Sequence, residues 1–487
     1  MAPASNEAMS DGMGGRGFDP LDYGRPMPTL RRETLALFAF TYVIGLVMLM
    51  TAGIYDGPLA EPSLLLVMGC VGLLCVLFVR LLLGRPLRLV EGRAPLLLLL
   101  VAFAVSTVAV FADARLLIHG ERPPRLIHAV EVAEFCLLAT YLPAVIGRGR
   151  EGEMWARLRF ASFAALFLAG GISVMFLSPH PKVDVWEVQT EGARALLRAQ
   201  NPYDLLNVHV EDQGLGNFPH IAFPYPPTPC GLNAIAFALG GDVRWGVLAA
   251  LLGTGVAFRQ IVRSSVSRPT PASPVARIAE DAPALLLWLT PKAYFFLETS
   301  WNDAYPLMLA TMSVLGHVHG RRYISAAFLG LTLSAKQSMI WFLPLAVLLG
   351  FSLRQWIVVL TAAAAPLVPF ALWDFRAFKY WTVDHFLLYA PKPESLTPMN
   401  WLSRHFGIGQ PKTPPGVFAA AFCSVVGAWR APRTPYAFAL VATLACFSFY
   451  LFNRFTCMNY YFFAAGLGAL AAAASMVPRP PIASSSL

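Results

Sequence analysis

Charge is what this 487-residue chain has least of: 13% of its residues are Asp, Glu, Lys or Arg, about half the share of a soluble globular domain. Set against 56% hydrophobic residues and a mean hydropathy of +0.57, that scarcity excludes an ordinary aqueous fold and places the chain in lipid. Cysteine is sparse and scattered. The seven residues, Cys70, Cys75, Cys136, Cys230, Cys423, Cys446 and Cys457, show no spacing of a zinc site or a disulfide framework. Most of them fall inside apolar runs, where Cys behaves as a small hydrophobe. No early apolar core marks a cleavable signal peptide. Residues 1–30, rich in Gly, Pro, Met and Ser, read as a disordered cytoplasmic tail, and 477–487 as a second one. The net charge of +9 does not call for nucleic acid, because the arginines lie in short connectors between apolar runs.

What is there is a series of apolar runs near the length of roughly 20 residues that crosses a hydrocarbon core. They cover 34–53, 62–82, 94–112, 126–146, 159–177, 244–262, 283–298, 304–319, 323–337, 338–352, 356–373, 415–429, 436–452 and 458–476. The expected architecture is an all-α polytopic membrane protein with about 14 transmembrane helices. These group as N-terminal spans (31–177), central spans (244–373) and C-terminal spans (415–476), with polar loops at 178–243 and 374–414.

Orientation follows from basic connectors. Arg80, Arg85, Arg88 and Arg93 form one; Arg148, Arg150, Arg157 and Arg159 a second; Arg259, Arg263, Arg268 and Arg277 a third; Arg321 and Arg322 a fourth. By the positive-inside bias these are cytoplasmic, as is the N-terminus, and both polar loops are extracytoplasmic. Keeping Arg259–Arg277 inside requires residues 225–240 to form a juxtamembrane or re-entrant helix, whose start suits Pro226 and Pro227.

Asp184, in HPKVDVWEVQTEGARALLRAQNPYDLL, is the leading candidate for chemistry. It reads as a general base at an outer membrane edge, or as a solvated helix N-cap. A helix starting here stacks Glu187 and Glu191 on the same face, either as a carboxylate cluster that raises proton affinity or as a wet helix face. ETSWNDAYP sets Glu298, Asn302 and Asp303 beside Trp301, an acidic and amide group next to an aromatic ring that suits sugar, or else an interfacial belt with caps. Lys336 lies within an apolar stretch, facing a phosphate or snorkelling to the interface. In NRFTCMNYY, Arg454 and Asn459 form a second phosphate candidate or part of an aromatic belt. Glu131 and Glu134 are carboxylates inside a span, with His128 or Arg125 as partners or with a role in a proton or ligand path. His180, His209, His220, His385 and His405 form no metal-ligand spacing, and no metal is expected.

Taken jointly, DVWEVQTEGARALLRAQNPYD, FPYPPTPCGLNAIAFALGGDVRW, ETSWNDAYP and GLTLSAKQSMIWFLP resemble the bacterial DUF2029/GT87-type membrane proteins of the GT-C glycosyltransferase superfamily. The resemblance covers about 178–345, extends loosely to 476 and is weak over the first five spans. It implies a GT-C-like fold in the bacterial cytoplasmic (inner) membrane with an extracytoplasmic active site. The implied reaction moves a sugar, a hexose such as mannose, from a polyprenyl-monophosphate donor to a lipid or glycan acceptor, with inversion. No cofactor beyond the polyprenyl-phosphate sugar itself is implied. Asp184 matches the family's first-loop aspartate, Lys336 its lysine, and Tyr225, Pro226 and Pro227 its Tyr-Pro-Pro element. Glu187, Tyr203, Tyr225, Glu298, Asn302, Asp303, Lys336, Arg454 and Asn459 are then the residues expected to bind substrate. The chain departs from the pattern at NRFTCMNYY, where some relatives carry a histidine. The alternatives are a transporter or lipid-glycan flippase, which needs polar residues through the whole depth, and a scaffold without activity. The ionisable residues are expected in the outer half.

Overall fold

Apolar runs fold into helices here only as far as their backbone bonding is uninterrupted, and the interruptions define the architecture. The computed structural model describes residues 30–51, 60–84, 89–90, 97, 99–104, 125–145, 152–181, 183–204, 210–212, 216–218, 222–264, 274–290, 292–388, 395–409, 411 and 413–477. The expected tails (apart from 30 and 477), most of the 94–112 run, His209 and His220 lie outside the described residues. The first half runs α1 (Arg32–Thr51), α2 (Ala60–Leu82), α3 (99–104), α4 (Arg125–Ala139), α5 (Leu142–Val145), α6 (Glu153–Leu177), α7 (Asp184–Leu197), α8 (Pro227–Gly240), α9 (Arg244–Ser264) and α10 (Pro274–Trp288). The second runs α11 (Ala293–Glu298), α12 (Ala304–Val318), α13 (Arg322–Leu333), α14 (Phe342–Leu345), α15 (Leu353–Trp373), α16 (Phe375–Lys379), α17 (His385–Leu388), α18 (Pro398–Phe406), α19 (Pro415–Arg430), α20 (Pro435–Leu451) and α21 (Met458–Ser475). Among the described residues the strands form two short antiparallel ladders, β1 (Leu30–Arg31) with β2 (Leu89–Val90) and β3 (Val210–Asp212) with β4 (Gly216–Phe218).

The all-helical expectation holds, but the count of about fourteen crossings does not. Among the described residues four helices are long and apolar enough to cross a membrane: α2, α6, α9 and α15. Two interruptions account for much of the difference. The 283–298 run is cut after Trp288, where Lys292 takes a left-handed backbone (φ 69°) before α11 restarts. The 323–352 stretch, expected as two crossings, is a short α13 followed by extended Lys336, a 3₁₀ segment Gln337–Trp341, α14 and a second 3₁₀ segment Ala346–Leu349. Other runs, α12, α19 and α20, form helices of at most 17 residues.

The core is built on α20 and α21, which are buried almost all round. α21 packs against α1, α20, α10, α9 and α12, and its small residues allow these approaches. A Cβ on Gly468 meets Phe40 at 2.6 Å, for example. The periphery is the inverse of a soluble protein. α15 buries only Val359, while Leu353, Leu360 and Leu372 face outward, and Phe418, Phe422 and Trp429 do so on α19. Apolar side chains turned out along whole helices suit a lipid surround, so the fold is compatible with a multi-pass membrane protein.

The length of α6, 25 residues or about 37 Å at 1.5 Å per residue, separates two polar ends. At its start, connectors expected on the same side meet: Arg263 reaches Glu153 at 2.6 Å, and Ser264 joins His319 at 3.0 Å. At its end, fully buried Arg244 donates to the carbonyls of Ser178 (2.7 Å) and Met175 (3.4 Å) and grips Asp242. Arg244 thereby satisfies acceptors that a helix terminus leaves open and ties α6 to α9.

α15 docks on α13 by backbone contact, since a Cβ on Gly330 meets the Val359 carbonyl oxygen at 2.3 Å. Gly330→Ala is expected to lower stability by about 1–3 kcal/mol through overpacking. Gly231→Ala, whose Cβ meets nothing within 4 Å, is expected to raise it by up to about 1 kcal/mol through helix propensity. Thermal unfolding of the two variants in detergent checks the opposite signs.

Candidate functional site

The break after α13 is where remote segments of the chain converge. Lys336, in extended conformation, carries its ammonium inward to Asp303, and the pair is buried from solvent. Asp303 stands at the N-cap of α12, yet its carboxylate caps nothing. One oxygen pairs with Lys336, and the other accepts from Asn459 Nδ2 at 2.8 Å. The Tyr460 ring lies 4.2 Å from the Lys336 ammonium, with Tyr450 at 5.9 Å. Tyr450 in turn is hydrogen-bonded to Ser338 at 2.7 Å. Three candidates from three parts of the chain, Asp303, Lys336 and Asn459, are therefore one unit. Lys336 does not snorkel.

The FPYPP segment closes over the same break. Gln337 Nε2 donates to the Pro224 carbonyl at 2.9 Å, and Thr228 bonds Ser334 through both backbone (3.4 Å) and hydroxyl (2.8 Å). α8 begins at Pro227 with proline in its first turn, as expected of a Pro-Pro start. Tyr203 donates its hydroxyl to the Tyr225 carbonyl at 2.7 Å, and its ring is boxed by Phe223, Phe370 and Phe378. Tyr203 is thus fixed as a strut beneath Tyr225, which itself is half-buried and 6.5 Å from the Phe386 ring. Arg454 is half-exposed and donates to the Leu387 carbonyl, bringing the end of α17 to this edge.

Asp184 opens α7 but does not cap it. Val183 holds the N-cap position, and Asp184, the first helical residue, accepts from the adjacent Val185 N–H at 2.7 Å. The N-cap reading is therefore corrected: the carboxylate is half-buried at the head of the helix. Glu187 follows one turn later, also half-buried, whereas Glu191 pairs with Arg194 on the wet face. Asp184 and Glu187 share α7 with Gln189, which connects the helix to the 298–303 loop. Gln189 donates to the Ser300 carbonyl and accepts from Asn233, which accepts from the Tyr305 hydroxyl. α7, α8 and α12 are thereby locked around the 298–303 loop.

That loop is unusual in its polar content. Glu298 is fully buried at the end of α11, and Ser300 adopts a left-handed backbone (φ 56°). Among the described residues the buried Ser300 Oγ and Asn302 Nδ2 have no hydrogen-bond partner, and neither does Thr190 Oγ1 beside Gln189. Each unsatisfied buried polar group costs about 1–3 kcal/mol. They gather where Gln189 ties α7 to this loop.

Sequence reading missed Gln189, Asn233, Ser300 and Tyr305. The signal for Gln189 was present, because it is the polar residue on the buried face of an amphipathic helix. It also missed a second buried set near the other end of α6. Asp281 accepts from the Tyr141 hydroxyl (2.7 Å) and pairs with Arg259 (2.8 Å) and Arg159 (3.8 Å), and Arg159 lies 3.5 Å over the Tyr141 ring. Ionisable residues were expected to cluster in the outer half; this set lies towards the start of α6, the opposite end from Asp184. Glu131 does pair with His128 (3.2 Å), while Glu134 accepts from Tyr294 (3.1 Å). Among the described residues no group of three or more His, Cys, Asp or Glu could hold a metal.

No family model, curated protein or solved structure matches the chain.

Removing one member of the buried pair is expected to cost about 3–5 kcal/mol, since it strands the other charge. Thus Asp303→Asn and Lys336→Met should each lower the melting temperature strongly. The double variant Asp303→Leu with Lys336→Met should recover much of the loss. Melting curves of the three proteins in one detergent measure this.

Proposed function

We propose that the chain is an inverting membrane glycosyltransferase that uses a polyprenyl-monophosphate sugar and an extracytoplasmic lipid or glycan acceptor. The observation that supports this most is the junction of α7 with the 298–303 loop. A half-buried carboxylate heads the helix, and buried hydroxyl and amide groups without partners lie at the same junction. Polyhydroxylated ligands supply the acceptors and donors such groups lack.

In this reading Asp184 takes the proton of the acceptor hydroxyl, and that oxygen bonds to the anomeric carbon of the donor. The bond from that carbon to the phosphate oxygen breaks on the opposite face, inverting the centre and releasing polyprenyl phosphate. Lys336 is already engaged by Asp303, so it holds the loop's acidic end. The phosphate falls to Arg454, half-exposed with N–H groups beyond the one on Leu387. Asn302 and Ser300 contact the sugar. A guanidinium offsets the charge that builds on the leaving phosphate.

A second reading, a transporter or lipid-glycan flippase, is favoured by one observation: buried ionisable residues occur towards both ends of α6, with Asp281, Arg159 and Arg259 far from Asp184.

Transfer from a panel of radiolabelled polyprenyl-phosphate sugars, with EDTA present, separates the two readings. Asp184→Asn is expected to lower turnover by about 10²–10⁴-fold, the usual contribution of a positioned base, with an unchanged melting temperature. Arg454→Gln should weaken donor use while leaving the fold intact. Full turnover in Asp184→Asn removes the mechanism. Substrate flux in proteoliposomes without any transfer supports transport instead.

A further inference from the structure

Far from the Asp184 junction, a cavity of about 220 Å³ opens where α9 and α12 end and α13 begins. Its walls are of two kinds. Met312, Leu315, Ile324 and Phe328 form an apolar side, and Gln260, His319 and Arg321 a polar one. The polar side is fixed in part by its own bonds: His319 joins Ser264 through Nε2 and the Leu315 carbonyl through Nδ1, both at 3.0 Å. Arg321 differs. It is exposed, and among the described residues its guanidinium makes no hydrogen bond or ion pair, whereas neighbouring Arg322 is held by the Leu349 carbonyl at 2.7 Å and His317 at 2.9 Å.

The surroundings bias this mouth towards an anion. On α6 and α10, Glu153 and Glu280 are each paired with Arg263. The hairpin between α12 and α13 is tight, with Arg321 N donating to the Gly316 carbonyl at 2.8 Å, so the cavity is a fixed feature of the turn. Outside it, exposed Tyr323 continues the apolar surface from Ile324. A ligand seated here must carry an anionic head beside an apolar tail.

We infer that this cavity binds one anionic phospholipid. The phosphate sits on Arg321 and Gln260, and an acyl chain lies along Leu315, Ile324 and Phe328. The inference rests on the lipid-embedded reading of the fold and is independent of the reaction proposed for Asp184. Basic clefts between helices at the arginine-rich face of a bundle are the expected location for such lipids. A cation near the surface adds to the pull on an anionic leaflet, and the apolar wall makes the interaction specific to one lipid rather than diffuse.

The test is native mass spectrometry of the detergent-purified full chain, mixed with equal amounts of phosphatidylglycerol and phosphatidylcholine. The first phosphatidylglycerol adduct is expected to exceed the phosphatidylcholine adduct by about fivefold, the effect of one well-placed cation. Arg321→Gln should remove most of that preference. Arg354→Gln, an exposed arginine at the start of α15 on the same end of the bundle, should leave it intact. Equal binding of both lipids, an unchanged preference in Arg321→Gln, or an equal loss in Arg354→Gln each overturns the site. So does displacement of the adduct by millimolar inorganic phosphate, which assigns the cleft to a free anion. Failure of this experiment leaves the glycosyl-transfer test untouched.

Discussion

A helix interrupted inside an apolar bundle must find partners for the backbone groups it releases, and that requirement organises the candidate site. The gap between Leu333 and Gln337 is closed by FPYPP, a segment well suited to burial. Pro224, Pro226 and Pro227 carry acceptors but no N–H donors of their own, so the segment brings fewer backbone donors to satisfy than a proline-free one of its length. Thr228 and Gln337 then make the bonds that hold it in place. Lys336 rides on the same gap and is neutralised by Asp303, which draws in the first turn of α21 through Asn459.

The two ends of α6 handle charge differently. Near Asp303 a single pair is enclosed by aromatic rings and one amide, while near Asp281 one carboxylate is shared by two guanidiniums and a phenol. In both places the carboxylate is paired within the protein, as a low-dielectric setting favours, although near Asp281 two guanidiniums face one carboxylate. Asp184 is different in kind, a carboxylate left half-open at a helix head. Asp281 and Asp303 are deep, and that difference in burial separates Asp184 from them.

Much of this was legible before the fold was known, and the omissions have physical reasons. The Pro-Pro helix start, the pairing of Glu131 with His128 and the polar character of the 298–303 segment all follow from local chemistry. Local chemistry does not reveal partners. Asp303, Lys336 and Asn459 were each singled out for different tasks, and only the folded chain makes them one unit. Hydropathy overcounted the crossings because it averages over residues such as Lys292 and Lys336, where a single backbone excursion ends a helix without changing the mean. Arg159, Arg259 and Arg277 looked like connector charges because they border connectors, yet all three are buried. Gln189 and Asn233 were overlooked as ordinary polar residues, although buried amides of this kind are what lock α7 to its neighbours.

Arg244 carries a consequence for how the chain is made. The carbonyls it satisfies, at Met175 and Ser178, are synthesised 69 and 66 residues ahead of it. At a synthesis rate of roughly 5–20 residues per second, the end of α6 stands incomplete for about 3–14 s before its partner emerges. Everything between, including α7 and α8, leaves the ribosome in that interval. The Asp184 segment is thus born beside an unfinished helix terminus, and the arrival of one arginine sets when that corner of the protein becomes final.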